Sequence, residues 1–442
     1  MGEQHLIKVA ISTLGCKVNQ YESAGILEKL DKSLFLPVPF HTKADCYIIN
    51  TCTVTGRTDY QSRQIIRRAI RMNPDACIVV TGCYAQVAPG DIARIPGVSL
   101  IAGTVEKENI PQIIQHVMKG GPQFLVTDIG DASEFSRLSP SQFPGRTRAF
   151  LKIQDGCNSF CSYCIVPYAR GPSRSLAERE VFHKIKTLAG NGYREIVLTG
   201  IHLGVYGEDL VPPSNLVTIM NYVEKNKSVQ RLRLSSIEIT EITDDMIGIM
   251  KKSATLCRHL HIPLQSGDDG ILAAMKRNYD SAFFKKRLEE IHRELPRIAV
   301  GIDVMVGFPG EGEEAFHNTV ALLEELPLAY VHVFPYSERP GTQAKELSGK
   351  VSDAVKKRRN EIVRNLGSIK RKTFAEKFIG EQLAVLVEDK QDKETGSMKG
   401  FSDNYIPVVI RSGDSSLVNH IVNVRADDSH DGKLYGRIID ND

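Results

Sequence analysis

The stretch "AFLKIQDGCNSFCSYCIVPYARG" (Ala149–Gly171) runs an apolar strand straight into Cys157, Cys161 and Cys164, a Cys-x3-Cys-x2-Cys array. Thiolates this close in sequence reach one metal centre from a single loop. A zinc knuckle needs a fourth Cys or His nearby. Asn158, Ser159, Phe160, Ser162 and Tyr163 supply none, although a distant residue could. Three thiolates on a cubane iron–sulfur cluster instead leave one iron open for a substrate.

Working outward, apolar runs at Glu195–Thr199, Arg231–Ser235, His259–Gln265, Ile298–Val306 and Tyr330–Pro335 follow the first strand, separated by helix-sized spacers. Six strands in this rhythm predict an incomplete (β/α) barrel, since a full one needs eight. Each strand ends in polar or Gly-rich sequence, where such barrels keep their chemistry. Upstream, runs at Ile7–Thr13, Cys46–Asn50, Cys77–Thr81 and Ser99–Gly103 alternate with helical segments near Tyr21–Leu30, Thr58–Met72 and Glu106–Met118. That alternation means a parallel sheet covered by helices.

A second cysteine set lies in this upstream unit. Cys16, Cys52 and Cys83 each follow a strand's last apolar residues, in "STLGC", "INTC" and "VVTGC". Parallel strands bring their C-terminal ends to one edge, where open α/β sheets place their ligands, so these three thiols are expected to converge. Cys46 and Cys77 open their strands at the opposite edge and read as small core residues. Cys257 reads as a buried thiol, and His259 and His261 read as barrel-strand residues rather than ligands.

A Gly-, Ser- and Pro-rich loop within Lys119–Arg146 separates the two α/β units, and a basic segment, Lys356–Lys377, leads to the tail. From Phe378 the pattern changes to short alternating strands, which predict a small all-β barrel. The expected boundaries are 1–120, a linker at 121–146, 147–373 and 374–442.

Across its 442 residues the chain carries a net charge of only +3, which excludes a bulk polycation but not a local nucleic-acid surface. "MGEQHLIKVAIST" reads as a strand rather than an export signal. No uncharged apolar run approaches the roughly 18 residues that span a bilayer. A cytoplasmic protein without a membrane segment is expected, in which nine cysteines favour metal ligation or catalysis over disulfides.

The Cys157–Cys164 array after the first strand of a partial barrel resembles the fingerprint of the radical S-adenosylmethionine superfamily. Two cysteine triplets, with a small β-barrel closing the chain, resemble the methylthiotransferases over essentially its whole length. The resemblance implies an N-terminal parallel-sheet α/β domain, a central partial (β/α)6 TIM-like radical barrel and a C-terminal TRAM barrel. It implies two 4Fe–4S clusters, one on Cys157, Cys161 and Cys164 and an auxiliary one on Cys16, Cys52 and Cys83. One S-adenosylmethionine on the open iron would yield a 5′-deoxyadenosyl radical, while a second would methylate a sulfur on the auxiliary cluster. By their strand-end positions, Thr199 and Gly200 would meet the cofactor's amino group. Ser235, Ser236 and Glu238 would meet its ribose or methionyl groups. Gln265 lies at the next strand end, and Phe308 in "DVMVGFPGE" would pack near the adenine.

Within the family, "TLGCKVNQYES" with "GCNSFCSYCIVPYARGPSRS" looks most like the branch that methylthiolates N6-threonylcarbamoyladenosine at position 37 of tRNA, beside the anticodon. The isopentenyladenosine branch usually has a "YGCQMN"-like first corner, and the branch acting on a ribosomal-protein aspartate one like "LGCPKN". A non-enzymatic alternative is a zinc-stabilised RNA-binding protein. Implied partners are tRNA and an electron donor such as a flavodoxin or ferredoxin.

For RNA contact, Arg63, Arg67 and Arg71 recur every four residues on one predicted helix and make a cationic stripe. Tyr168, Arg170 and Arg174 follow the Cys157–Cys164 triplet and offer phosphate and stacking contacts. The tail, Glu376–Asp442, is acidic, with 8 Lys+Arg against 13 Asp+Glu. RNA binding there would rest on a local patch that includes Lys399 and Phe401, or the tail would dock on the barrel instead.

Overall fold

The computed structural model describes residues 6–120 and 124–439. Residues 1–5, 121–123 and 440–442, among them part of the first strand's lead-in, of the expected linker and of the tail, lie outside the described residues. Two compact units result. The first takes the chain up to Gln142, Gln154–Ser175 and Ser337–Lys345. The second takes Phe143–Ile153, Leu176–Tyr336 and the chain from Glu346 onward. This division cuts across the sequential boundaries, because the cysteine loop after the first barrel strand belongs to the first unit.

In chain order the first unit has β1 (Ile7–Thr13), α1 (Lys17–Glu28), β2 (Phe35–Pro37), β3 (Cys46–Thr51), α2 (Gly56–Met72), β4 (Cys77–Gly82), α3 (Cys83–Val87), α4 (Pro89–Ala93), β5 (Leu100–Ala102), α5 (Ile110–Met118) and β6 (Phe124–Leu125). All six strands are parallel, in the order β2-β1-β3-β4-β5-β6. The short edge strands β2 and β6 are not among the expected ones, being too brief to show a hydrophobic period. Every residue of β3 and β4 is buried, as continuous apolar runs demand when helices cover both faces. Side chains alternate between two cores. Val9, Ile48 and Val79 enter one, and Ala10, Ile49 and Val80 the other. Cys46 and Cys77 sit in the first as core residues.

Sharp corners follow the strands. Thr55 caps α2 in a reciprocal box with Thr58, so the chain turns into the helix just past Cys52. Gly82 has φ +97°, and a Cβ there would lie 2.4 Å from the Thr51 carbonyl oxygen. Only glycine lets β4 end against β3 and still present Cys83.

Continuing along the chain, β7 (Arg148–Lys152) belongs to the second unit. The return to the first contains β8 (Gln154–Asp155), α6 (Val166–Arg170) and β9 (Arg174–Ser175). The second unit then has α7 (Glu178–Gly190), β10 (Glu195–Thr199), α8 (Leu216–Asn226), β11 (Arg231–Leu234), α9 (Asp244–Lys252), β12 (His259–Gln265), α10 (Asp269–Ala274), α11 (Ser281–Glu294), β13 (Ala299–Val306), α12 (Glu313–Glu325), β14 (Tyr330–Pro335) and α13 (Asp353–Glu376). Strands β7, β10 and β11 form one parallel sheet, and β12, β13 and β14 another. Parallel bridges at Leu232–Leu256 and Ser236–His261 connect their flanks into the incomplete barrel that six strands predict.

The tail closes a five-stranded barrel from β15 (Gln382–Gln391), β16 (Met398–Ser402), β17 (Pro407–Ile410), β18 (Ile421–His430) and β19 (Lys433–Ile438). It docks on the incomplete barrel: Phe374, Ala375 and Phe378 join Ala299 and Ala329 in one core with Val385, Val408 and Leu434. At the N-terminal strand ends the buried Glu195 accepts from Arg233 Nε at 2.7 Å, while Arg231 and Arg233 donate to the carbonyls of Phe401 and Asp403 at 3.1 and 2.9 Å. The Arg233 fork, with Arg231 as a second cation 3.7 Å away, compensates a carboxylate that could not otherwise be buried. This docking corrects one RNA expectation. The Phe401 ring stacks on Tyr405 at 4.9 Å and lies under the Arg148 guanidinium at 4.8 Å, so its faces are taken. Among the described residues, no helix is long and apolar enough to cross a membrane.

Candidate functional site

The edge formed by the C-terminal ends of β1, β3 and β4 holds Cys16, Cys52 and Cys83. Cys16 caps the N-terminus of α1 and is open to solvent, whereas Cys52 and Cys83 are only 3% and 8% exposed. The register sets the ends of β1, β3 and β4 side by side, so the corners that carry the three cysteines share one sheet edge. Gly15, at φ +90°, lies against Cys52: a Cβ on it would come within 2.7 Å of the Cys52 sulfur. Burial and the neighbouring Cys83 push the Cys52 thiol up to about 12. Such a thiol gives up its proton to a metal rather than to water.

Asn19 ties the corners together. Its side chain donates to the carbonyls of Leu14 and Thr51 at 2.8 and 3.0 Å, and its own carbonyl accepts from Asn50 Nδ2 at 2.9 Å. The sequence "KVN" after Cys16 therefore shapes the cysteine edge.

The second triplet lies on the loop between β8 and β9, which pair Gln154 with Ser175 and Asp155 with Arg174. Cys157 donates its N–H to the Gly171 carbonyl at 3.0 Å, and Cys164 its N–H to the Cys161 carbonyl at 2.9 Å. The Ser159 N–H points at Cys157 Sγ, 3.5 Å away. Three part-exposed sulfurs on a pinned loop, with a backbone N–H aimed at one of them, fit a thiolate-bound cluster.

Both triplets are held by groups that the sequence patterns did not single out in this role. Arg170, fully buried, donates from Nε to Cys83 Sγ at 3.3 Å and from Nη1 to Glu22 at 2.5 Å. Its Nη2 bonds Asn19, and Lys107 pairs with the same Glu22. The loop carrying one triplet thus supplies a cation to a thiol of the other. The segment Ser337–Lys345 adds a strap. Arg339 bonds Thr53 Oγ1 at 2.6 Å and Asp59 Oδ2 at 2.5 Å, beside Cys52, and the Ala344 N–H reaches the Ser162 carbonyl at 2.8 Å, between Cys161 and Cys164.

These contacts correct two more RNA expectations. Arg170 is sealed in the thiol edge, and Arg174 spends its guanidinium on the carbonyls of Pro172 and Arg170 at 2.7 and 3.0 Å. Sequence shows the charges but not their partners. Arg63 bonds the Tyr84 hydroxyl at 2.7 Å, whereas Arg67 and Arg71 remain exposed. Tyr60, 56% exposed, shares their helix face three and four residues back from Arg63 and Gln64. Tyr168 is exposed and meets the equally exposed Phe160 edge-on at 5.8 Å. Lys399 is half-buried on β16.

The expected cofactor residues all lie in the second unit. Thr199 closes β10 and is buried, Gly200 follows it half-buried, and Ser236 is exposed. Ser235 Oγ and Gln265 Oε1 are buried without a hydrogen-bond partner among the described residues, and Gln265 takes the left-handed φ of +69°. Orphaned acceptors at strand ends, one on a strained backbone, mark a place built for a polar ligand. Glu238 is taken by Arg277. Phe308 is fully buried edge-on against Tyr336 at 5.5 Å, a core residue rather than a ring offered to a ligand.

Residues 8–103 match the Uncharacterized protein family UPF0004, and residues 151–323 the Radical SAM superfamily. The Threonylcarbamoyladenosine tRNA methylthiotransferase MtaB of Bacillus subtilis is 42% identical over 420 residues, covering 94% of this chain and 93% of that protein. Its counterpart of Aquifex aeolicus is 37% identical over 91% of this chain and 96% of its own length. A tRNA-2-methylthio-N(6)-dimethylallyladenosine synthase of Carboxydothermus hydrogenoformans is 32% identical over 96% and 97% of the two chains. The radical S-adenosylmethionine methyltransferase TsrM of Kitasatospora setae, solved with cobalamin and a [4Fe-4S] cluster, shares the fold. Its TM-score is 0.56 at 14% identity, over 77% of each chain.

Proposed function

The chain belongs to the radical S-adenosylmethionine methylthiotransferases, and from that premise we propose that it methylthiolates carbon 2 of N6-threonylcarbamoyladenosine at position 37 of tRNA. The observation that carries the reading is near-full-length identity to relatives named for that activity, in a chain with two cysteine triplets on one compact unit. Two 4Fe–4S clusters and S-adenosylmethionine supply the one-electron chemistry and the methylthio group. Cys16, Cys52 and Cys83 hold one cluster, and Cys157, Cys161 and Cys164 the other. Arg170, Glu22 and Asn19 fix the first, while Ser235 and Gln265 wait for the polar groups of S-adenosylmethionine. A flavodoxin- or ferredoxin-class protein provides the electron, and the tRNA substrate places the enzyme in the cytoplasm.

Nucleoside mass spectrometry of tRNA from cells lacking the protein tests the substrate. The 2-methylthio-threonylcarbamoyladenosine signal is expected to vanish and to return with the intact gene. Its persistence while a methylthio-isopentenyladenosine or a ribosomal-protein methylthio mark disappears would move the chain to another branch.

For RNA, Tyr60, Arg67 and Arg71 on α2, with Phe160 and Tyr168, offer the stacking rings and free cations that single-stranded loops require. Replacing Arg67 and Arg71 by Gln is expected to weaken tRNA binding and to lower the slope of log K against log salt by about one per lost phosphate contact. An unchanged slope returns the stripe to an ordinary solvated helix face.

A further inference from the structure

In the second unit, β12, β13 and β14 each contribute one polar side chain to a common point. His261 Nε2 lies 3.0 Å from Asp303 Oδ1, and His332 Nδ1 lies 3.4 Å from the same oxygen. All three donor atoms fall within 4.8 Å of one another. Asp303 on β13 and His332 on β14 are cross-strand partners, and His261 on β12 pairs with Gly301, on the same strand as Asp303. From the strand sequence, His261 reads only as a barrel residue; the register brings it to a shared oxygen.

The far side of His261 is also arranged. Tyr330 lies across Gly301, where a Cβ would come 1.9 Å from its ring, and its hydroxyl meets His261 Nδ1 at 3.1 Å and His259 Nε2 at 2.8 Å. A hydroxyl has one proton to give, so facing two imidazole nitrogens it must accept from at least one. When His261 Nδ1 is the donor, a neutral ring turns its Nε2 lone pair toward the Asp303 carboxylate, and either a second ring proton or a metal ion bridges the two. This is the arrangement by which second-shell groups fix the tautomer of a metal-binding histidine.

From this geometry we infer that His261, Asp303 and His332 form a mononuclear zinc site, separate from the iron–sulfur clusters, with water in the remaining position. Tetrahedral bonds of about 2.0–2.1 Å put neighbouring ligand atoms about 3.3 Å apart, close to the two separations found here. Two imidazoles and one carboxylate are a normal zinc donor set that leaves a position open. His332, 57% exposed, turns that position toward solvent, whereas His261 and Asp303 are 12% and 25% exposed. The ion would join three successive parallel strands at the edge where the barrel is incomplete, because β14 has a sheet partner on one side only.

The test uses full-length holoenzyme with both clusters loaded. Metal analysis is expected to find about one zinc per chain in addition to iron, and X-ray absorption at the zinc edge a first shell of N and O alone. His332→Asn changes the most exposed ligand and should raise the zinc Kd at least tenfold, in competition with a chelator, with iron content unchanged. Tyr330→Phe, which keeps all three ligands, should weaken zinc by roughly 10–100-fold through the second shell. Zinc below about a tenth of an equivalent after incubation with Zn2+, a sulfur shell at about 2.3 Å, or affinity unchanged in both variants would overturn the site. None of these readouts depends on methylthiolation, so the zinc assignment and the proposed reaction fail or stand separately.

Discussion

Replacing Arg170 by Leu is expected to open the cysteine edge and cost the auxiliary cluster. The guanidinium is fully buried and answers Glu22, Asn19, Asp155 and Cys83 together. Leucine fills part of the volume but removes the buried cation that Glu22 and Asp155 both face. Breaking a buried pair in this way costs about 3–5 kcal/mol, so amide protection in Lys17–Glu28 and Val166–Arg170 should fall by roughly two to nearly four orders of magnitude. The five-stranded tail barrel, whose core shares no residue with this edge, should keep its protection. Iron should drop from about eight toward about four per chain, as one cubane is lost. Unchanged protection and full iron in Arg170→Leu would show that the network does not hold the edge.

The second large effect separates the two triplets. Cys161→Ala removes the middle thiol of the loop between β8 and β9 and is expected to abolish reductive cleavage of S-adenosylmethionine, measured as 5′-deoxyadenosine release. Cys52→Ala should leave much of that cleavage intact while methylthiolated tRNA falls to background. The physical basis is separate attachment: Cys52 hangs from the β3–α2 corner, fixed by the Thr55 box and the Arg339 contacts to Thr53 and Asp59. Cys161 hangs from its own hairpin. Equal loss of both activities in both variants would show one shared centre rather than two.

Much of this site is legible along the chain because its cysteines are local or periodic. The Cys157–Cys164 spacing is a property of one loop. Cys16, Cys52 and Cys83 follow from a rule of parallel sheets: strand ends that recur in sequence meet in space. Phe401, Arg170 and Arg174 show where that reading stops. Each has the residue type that RNA binding calls for. Whether a ring or a guanidinium is available depends on partners far off in sequence, such as Arg148 and Tyr405 for Phe401, or Glu22 and Cys83 for Arg170. The tail's acidic balance is a similar case: composition raises the question, and the shared core with Ala299 and Ala329 answers it as docking.

Sequence alone determined the class of the chain, its two thiol triplets and the parallel strands that carry them, because strand period, corner glycines and cysteine spacing act over a few residues. Only the tertiary structure decided which charges are spent inside the protein and which still face outward. It also decided that His261, Asp303 and His332 share one oxygen. Those outcomes depend on register and on contacts across 29 to 148 positions of chain, where sequence periodicity carries no information.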